Sequence, residues 1–247
     1  MIDTHAHIYS EYYDNIDELV KYLKDNNVKY ILNASSNYDN ALEVIELSKK
    51  YKDYLLPVVG IHPEDVDNYN LEKIEELIKD NKVYAVGEIG LDYHYSSENK
   101  DKQKELFKRQ IEIAIKYNLP VVVHTRDSIQ DTFDILKSYK VKGVLHCFSG
   151  SYEMAREFIK IGFKLGIGGV LTFKNSKLYE VIEKISLDDI VLETDSPYLS
   201  PEPYRGKKNN PYNVYYVAKK ISEIKNISVE EVIRVTTKNA CGIFDIR

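Results

Sequence analysis

Ile2-Asp3-Thr4-His5-Ala6-His7 opens the chain as a short, strand-like run that ends in two histidines. A doubly wound open sheet would carry a glycine-rich phosphate loop after its first strand. Here that place is taken by Thr4-His5-Ala6-His7, which argues for another way of arranging parallel strands. Seven more short apolar, β-branched runs follow, at residues 28–33, 55–60, 83–88, 121–125, 143–147, 163–167 and 190–195. Between them apolar residues recur at helical spacing, as in Ile16/Leu19/Val20/Leu23, Leu71/Ile74/Leu77/Ile78 and Met154/Ala155/Phe158/Ile159. Val214/Val217/Ala218/Ile221 and Val229/Val232/Ile233 predict two closing helices. Successive strand ends fall 20 to 37 residues apart, with no Pro/Gly/Ser-rich linker between them. Eight strands with helical crossovers predict the α/β class and a (β/α)8 TIM barrel, one domain over residues 1–247.

Composition narrows the function. Of 247 residues, 43% are hydrophobic and 30% charged, which is globular usage and excludes a disordered chain. The net charge is −5, whereas a surface that tracks long nucleic acid is normally basic. A local site carrying metal cations remains compatible with that charge. No apolar run approaches the roughly 18–20 residues of a membrane span. Met1 leads straight into the first strand, so no secretory signal is expected. Cys147 and Cys241 lack metal-ligand spacing and read as buried free thiols of a reducing compartment. Tyrosine occurs 21 times and tryptophan never, but the tyrosines are spread along the chain, which does not favour a surface of stacking aromatics.

The histidines carry the chemistry. His5, His7, His124 and His146 end candidate strands, His62 follows the third closely, and His94 lies in the loop after the fourth. In a barrel the C-terminal ends of the strands form the catalytic face, and Glu88 and Asp195 point to the same rim. Strand alternation pairs His5 with His7, Val86 with Glu88, Val122 with His124, Val144 with His146, and Glu193 with Asp195 on common faces. If those faces look inward, four imidazoles and two carboxylates converge on the mouth, a ligand set for Zn²⁺, Mn²⁺ or related ions. Without ions, six polar groups would be desolvated at considerable cost. Six ligands exceed one tetrahedral site, so two ions sharing a bridge are expected, with Glu88 the candidate bridge. Taken singly, His62 and His94 read as structural residues.

These residues lie in motifs that resemble a known family. Asp3-Thr4-His5-Ala6-His7, Gly60-Ile61-His62-Pro63, Gly87-Glu88-Ile89-Gly90-Leu91-Asp92-Tyr93, His124-Thr125-Arg126, His146-Cys147-Phe148-Ser149-Gly150 and Glu193-Thr194-Asp195-Ser196-Pro197-Tyr198 are similar to those of the TatD-type metal-dependent deoxyribonucleases, of the amidohydrolase-like superfamily. The segment Pro203-Tyr204-Arg205-Gly206-Lys207-Lys208-Asn209-Asn210-Pro211 extends the match. The resemblance implies a cytoplasmic hydrolase of DNA phosphodiesters, a 3′-to-5′ exonuclease acting at strand ends. It implies two divalent ions (Mg²⁺, Mn²⁺ or Zn²⁺), one held by His5, His7, Glu88 and Asp195 and the other by Glu88, His124 and His146. Asp195 and Glu88 are then the catalytic carboxylates, Asp195 orienting the attacking water and taking its proton. The alternative is an amidohydrolase or deacylase using the same metals on a small amide, an ester or a mischarged (D-aminoacyl) transfer RNA.

Substrate contacts are expected from His62, His94, Arg126, Ser149 and Arg205, although Arg205 reads slightly better as a tie for the final loop. Asp3 and Glu193 fall on the inward faces of the first and last strands by alternation. They are expected to accept hydrogen bonds from ligand imidazoles or from the hydroxyls of Thr4 or Ser196. Alternation also turns Cys147 away from His146.

Overall fold

The computed structural model describes residues 1–52, 54–94 and 98–247. Eight parallel strands lie side by side in sequence order: β1 (Ile2–Ala6), β2 (Tyr30–Ala34), β3 (Leu55–Val59), β4 (Ala85–Asp92), β5 (Val121–Arg126), β6 (Gly143–Leu145), β7 (Phe163–Ile167) and β8 (Ile190–Leu192). The ring closes just beyond β8, where Ala6 bridges Ser196 and the His7 amide donates to the Ser196 carbonyl at 2.7 Å. This is the expected (β/α)8 barrel.

The helices form the outer layer: α1 (Ile16–Asp25), α2 (Tyr38–Lys50), α3 (Leu71–Asp80), α4 (Lys100–Lys116), α5 (Ile129–Leu136), α6 (Tyr152–Lys160), α7 (Leu178–Lys184), α8 (Val214–Lys225) and α9 (Val229–Phe244). Their apolar stripes dictate the packing. In α1, Leu19, Val20 and Leu23 are buried while Asn15 caps the start by accepting from the Glu18 amide. Ser151 does the same for α6, accepting from Met154; such a cap contributes about 1 kcal/mol. Outward strand residues such as Ile31, Val86, Ile89 and Val123 pack beneath these stripes. Inward residues Ile2, Leu32, Leu56, Val122, Val144 and Val191 form a second cluster with Ala240, Ile243 and Phe244 of α9, which seals the N-terminal end of the barrel. The apolar plug leaves the C-terminal mouth for polar groups. Among the described residues, no helix is long and apolar enough to cross a membrane.

Two irregularities aim the side chains at that mouth. Register slips by one residue between Asp3 and Ala6 of β1, and again between Val86 and Ile89 of β4. An extra residue in a strand breaks the alternation of faces. The expected pairing of Val86 with Glu88 is therefore corrected: Val86 packs outward, and both Gly87 and Glu88 turn inward. A Cβ on Gly87 would come within 2.9 Å of Val58 and Val122, so a side chain there has no room. Asp3 is corrected likewise. It is in register with outward-facing Ile31, while His5 and His7, beyond the slip, face the mouth.

Candidate metal centre

Glu88 is the hub of the cup, buried to 3% exposure. Its Oε2 lies 3.2 Å from His5 Nε2 and 3.5 Å from His7 Nε2. Its Oε1 lies 2.8 Å from His124 Nδ1, 3.0 Å from His146 Nε2 and 3.6 Å from His62 Nε2. Asp195 Oδ1 completes the first side, 3.7 Å from His5 Nε2 and 3.5 Å from His7 Nε2. The six residues expected as ligands thus meet at the mouth, and His62 joins them. Among the described residues, three triads have donor atoms within 4.8 Å of one another: His5, His7 and Glu88; His5, His146 and Asp195; His62, Glu88 and His124.

The donor chemistry fits divalent cations. His5 Nε2 and His7 Nε2 stand 3.2 Å apart, both against the same Glu88 oxygen, so three acceptor atoms crowd one point. Burial lowers the pKa of His5 and drives that of His62 down to about 3, whereas the neighbouring carboxylates raise those of His7, His124 and His146 against burial. For Glu88, burial alone would raise the pKa, but His146, His5 and His62 outweigh it and hold the carboxyl well below the usual range. Buried His5 Nδ1 and Glu193 Oε2 lack hydrogen-bond partners. Imidazole nitrogen and carboxylate oxygen gathered in this way are the donors that Zn²⁺, Mn²⁺ and Mg²⁺ share.

Other groups hold the imidazoles in place. His7 Nδ1 is 3.0 Å from the Tyr9 hydroxyl and 3.1 Å from the Ala34 carbonyl. His124 Nε2 contacts Asp92 Oδ2 at 3.0 Å. Glu193 Oε1 lies 3.3 Å from His146 Nδ1 and accepts from the Cys147 amide at 2.7 Å. Gly166 makes room for it, since a Cβ there would fall 2.2 Å from Glu193 Oε2. Asp3 serves differently from expectation: it accepts from the Thr194 hydroxyl at 2.6 Å and from the Thr194 and His5 amides, with no imidazole. Thr4 donates to the Leu192 carbonyl instead. Burial raises the Asp3 pKa well above normal, against these hydrogen bonds.

Asp195 follows β8 in the left-handed region, at φ 57°, a conformation Asp tolerates better than most residues. Its loop is tied on every side. The Asp195 amide donates to the His5 carbonyl, and Asn209 Nδ2 donates to the carbonyls of Thr194 and Tyr198. Cys147, at φ 47°, lies beyond the end of β6, so strand alternation does not govern it. Cys147 and Cys241 are free and half-buried, not fully buried as expected.

Of the expected substrate contacts, His94 is not brought to the cup. It is exposed and pairs with Asp127 at 3.1 Å, because β4 ends at Asp92 and releases the chain outward. Arg205 stacks 3.8 Å from the Phe173 ring centre and donates to the Ser200 carbonyl, the loop-tying arrangement. Arg126 and Ser149 line one groove of about 560 Å³, together with Lys100 and Tyr93.

Asp92, Tyr9, Gln103 and Gln110 carry contacts that sequence reading missed. Gln103 and Gln110 lie seven apart on the buried face of α4. Each amide forms two hydrogen bonds to a strand-end backbone, at Asp92 and Ile61 respectively. Two glutamines in an apolar helical stripe were the available signal, since buried amides demand partners.

Known proteins resemble this chain along its whole length. The TatD related DNase family matches residues 2–245. The uncharacterized metal-dependent hydrolase YabD of Bacillus subtilis is 41% identical, over 100% of this chain and 99% of its own. MJ1582 of Methanocaldococcus jannaschii, also an uncharacterized metal-dependent hydrolase, is 38% identical over 100% and 97%. The crystal structure of YjjV, a TatD homologue from Escherichia coli, superposes with a TM-score of 0.94 at 28% identity, covering 100% of this chain and 98% of that one.

Proposed function

Because the chain belongs to the TatD family of metal-dependent hydrolases, we propose that it cleaves DNA phosphodiesters at strand ends, in the 3′-to-5′ direction, with two divalent ions. One observation carries the reading: Glu88 turns one oxygen to the His5–His7 pair and the other to the His124–His146 pair. His5, His7, Asp195 and Glu88 Oε2 would hold one ion; Glu88 Oε1, His124 and His146 would hold the other, with His62 beside them. Such ions supply positive charge against a phosphoryl group and make water a better nucleophile near neutral pH.

The protein's own residues do the rest. Asp195, partly open to solvent at the mouth, accepts the proton of the attacking water. Its pKa is lowered: burial raises it, but His7, His146 and His5 outweigh that and keep the group an anionic carboxylate. Glu193 and Asp92 orient the imidazoles of His146 and His124. Arg126 and Lys100 flank the groove beside the cup, where a phosphate would follow. We place the protein in the cytoplasm, which suits its free thiols.

End-labelled oligonucleotides, acylated transfer RNA and small amides form the test panel, each with Mg²⁺, Mn²⁺ or Zn²⁺ and with EDTA. The expected result is metal-dependent shortening of DNA from its 3′ end, abolished by EDTA. Turnover of the acyl-transfer RNA or the amides with intact DNA would replace this reading with the deacylase one.

A further inference from the structure

The fold gathers tyrosines that the sequence scatters. Tyr12 and Tyr198 are 186 positions apart, yet their hydroxyls are 2.8 Å from each other and their rings 5.9 Å apart at 75°. Tyr198 lies three residues beyond Asp195, and its ring is 6.1 Å from His7. It is nevertheless 49% exposed, so half of a large aromatic surface faces solvent at the rim of the cup. Tyr12 continues this aromatic edge, its ring 5.5 Å from that of Tyr9, which in turn lies 5.7 Å from the His7 ring. Exposed aromatic rings at the approach to a site are what a single-strand binding platform uses to stack bases.

We propose that Tyr12 and Tyr198 form a stacking platform for the nucleobase next to the scissile phosphate. The inference rests on the nuclease reading above and adds how that substrate is held. A chain of net charge −5 gains little from long-range attraction to DNA, so short-range contact at the strand end must supply affinity. Every base offers a π face, which makes such a platform tolerant of sequence. A small amide or ester has no base to stack, so the platform also favours nucleic acid over the substrates of the alternative reading.

Two single-stranded oligonucleotides test this, one ending in a normal 3′ nucleotide and one in an abasic tetrahydrofuran residue, both with metal-loaded enzyme. Tyr198→Ala and Tyr12→Ala are expected to raise KM for the base-bearing substrate by about tenfold or more. The penalty should be confined to that substrate, and Tyr198→Phe, which keeps the ring, should recover most of the loss. Tm should hold, because Tyr198 lies at the surface. Equal effects on both oligonucleotides, or none on either, would overturn the platform and leave the nuclease reading standing. If wild-type enzyme shortens neither DNA, the nuclease reading falls and the platform with it.

Discussion

Glu88→Gln is expected to lower kcat/KM by about a thousandfold or more, roughly 4 kcal/mol of transition-state stabilisation, and to release bound metal. The carboxylate meets five imidazoles, with Oε2 facing His5 and His7 and Oε1 facing His124, His146 and His62. Glutamine keeps the shape but offers one oxygen and one NH₂ group, so one side of the cup loses its anion and gains a donor pointed at lone pairs. Burial sharpens the effect, because the remaining imidazoles sit where water cannot replace the lost charge. Elemental analysis of the purified variant beside a DNA hydrolysis assay checks both halves. A variant that keeps its full metal complement and wild-type rates would remove Glu88 from the bridge.

Asp195→Asn should separate turnover from folding. The amide is isosteric, and the Asp195 backbone is held by the His5 carbonyl and the Asn209-tied loop, none of which needs the carboxylate. The substitution removes the proposed proton acceptor and leaves a neutral oxygen toward the ion proposed beside His5 and His7, which metal-replete buffer keeps loaded. Such a group contributes about 10²–10⁴-fold, so kcat should fall in that range while Tm and KM change little. Steady-state kinetics in metal-replete buffer and a thermal melt measure it; near-wild-type kcat would exclude Asp195 as the base.

The placement of the histidines was legible because strand ends of a barrel share one rim. His5, His7, His124 and His146 needed only the strand count and the period of two. The path of the backbone between them was not legible. Alternation treats Asp3 and His5 as equivalent, yet the register slip in β1 sends them to opposite faces. The slip in β4 separates Val86 from Glu88 in the same way. A bulge leaves no mark in hydrophobic pattern when every residue of the strand is buried, as all eight are in β4. His62 was ambiguous for another reason. It lies outside any strand, where the hydrogen bond from its amide to the Ser36 carbonyl and the short 3-10 turn after it direct the ring to Glu88. The Asp92 contact to His124 reaches from β4 to β5, which no local spacing encodes.

Anomalous diffraction from crystals loaded with Mn²⁺ addresses the bridged pair most directly. Two peaks are predicted, one within about 2.0–2.3 Å of Glu88 Oε2 and the other equally close to Oε1. A single peak at Glu88, or none there, would contradict a two-ion centre built on this carboxylate.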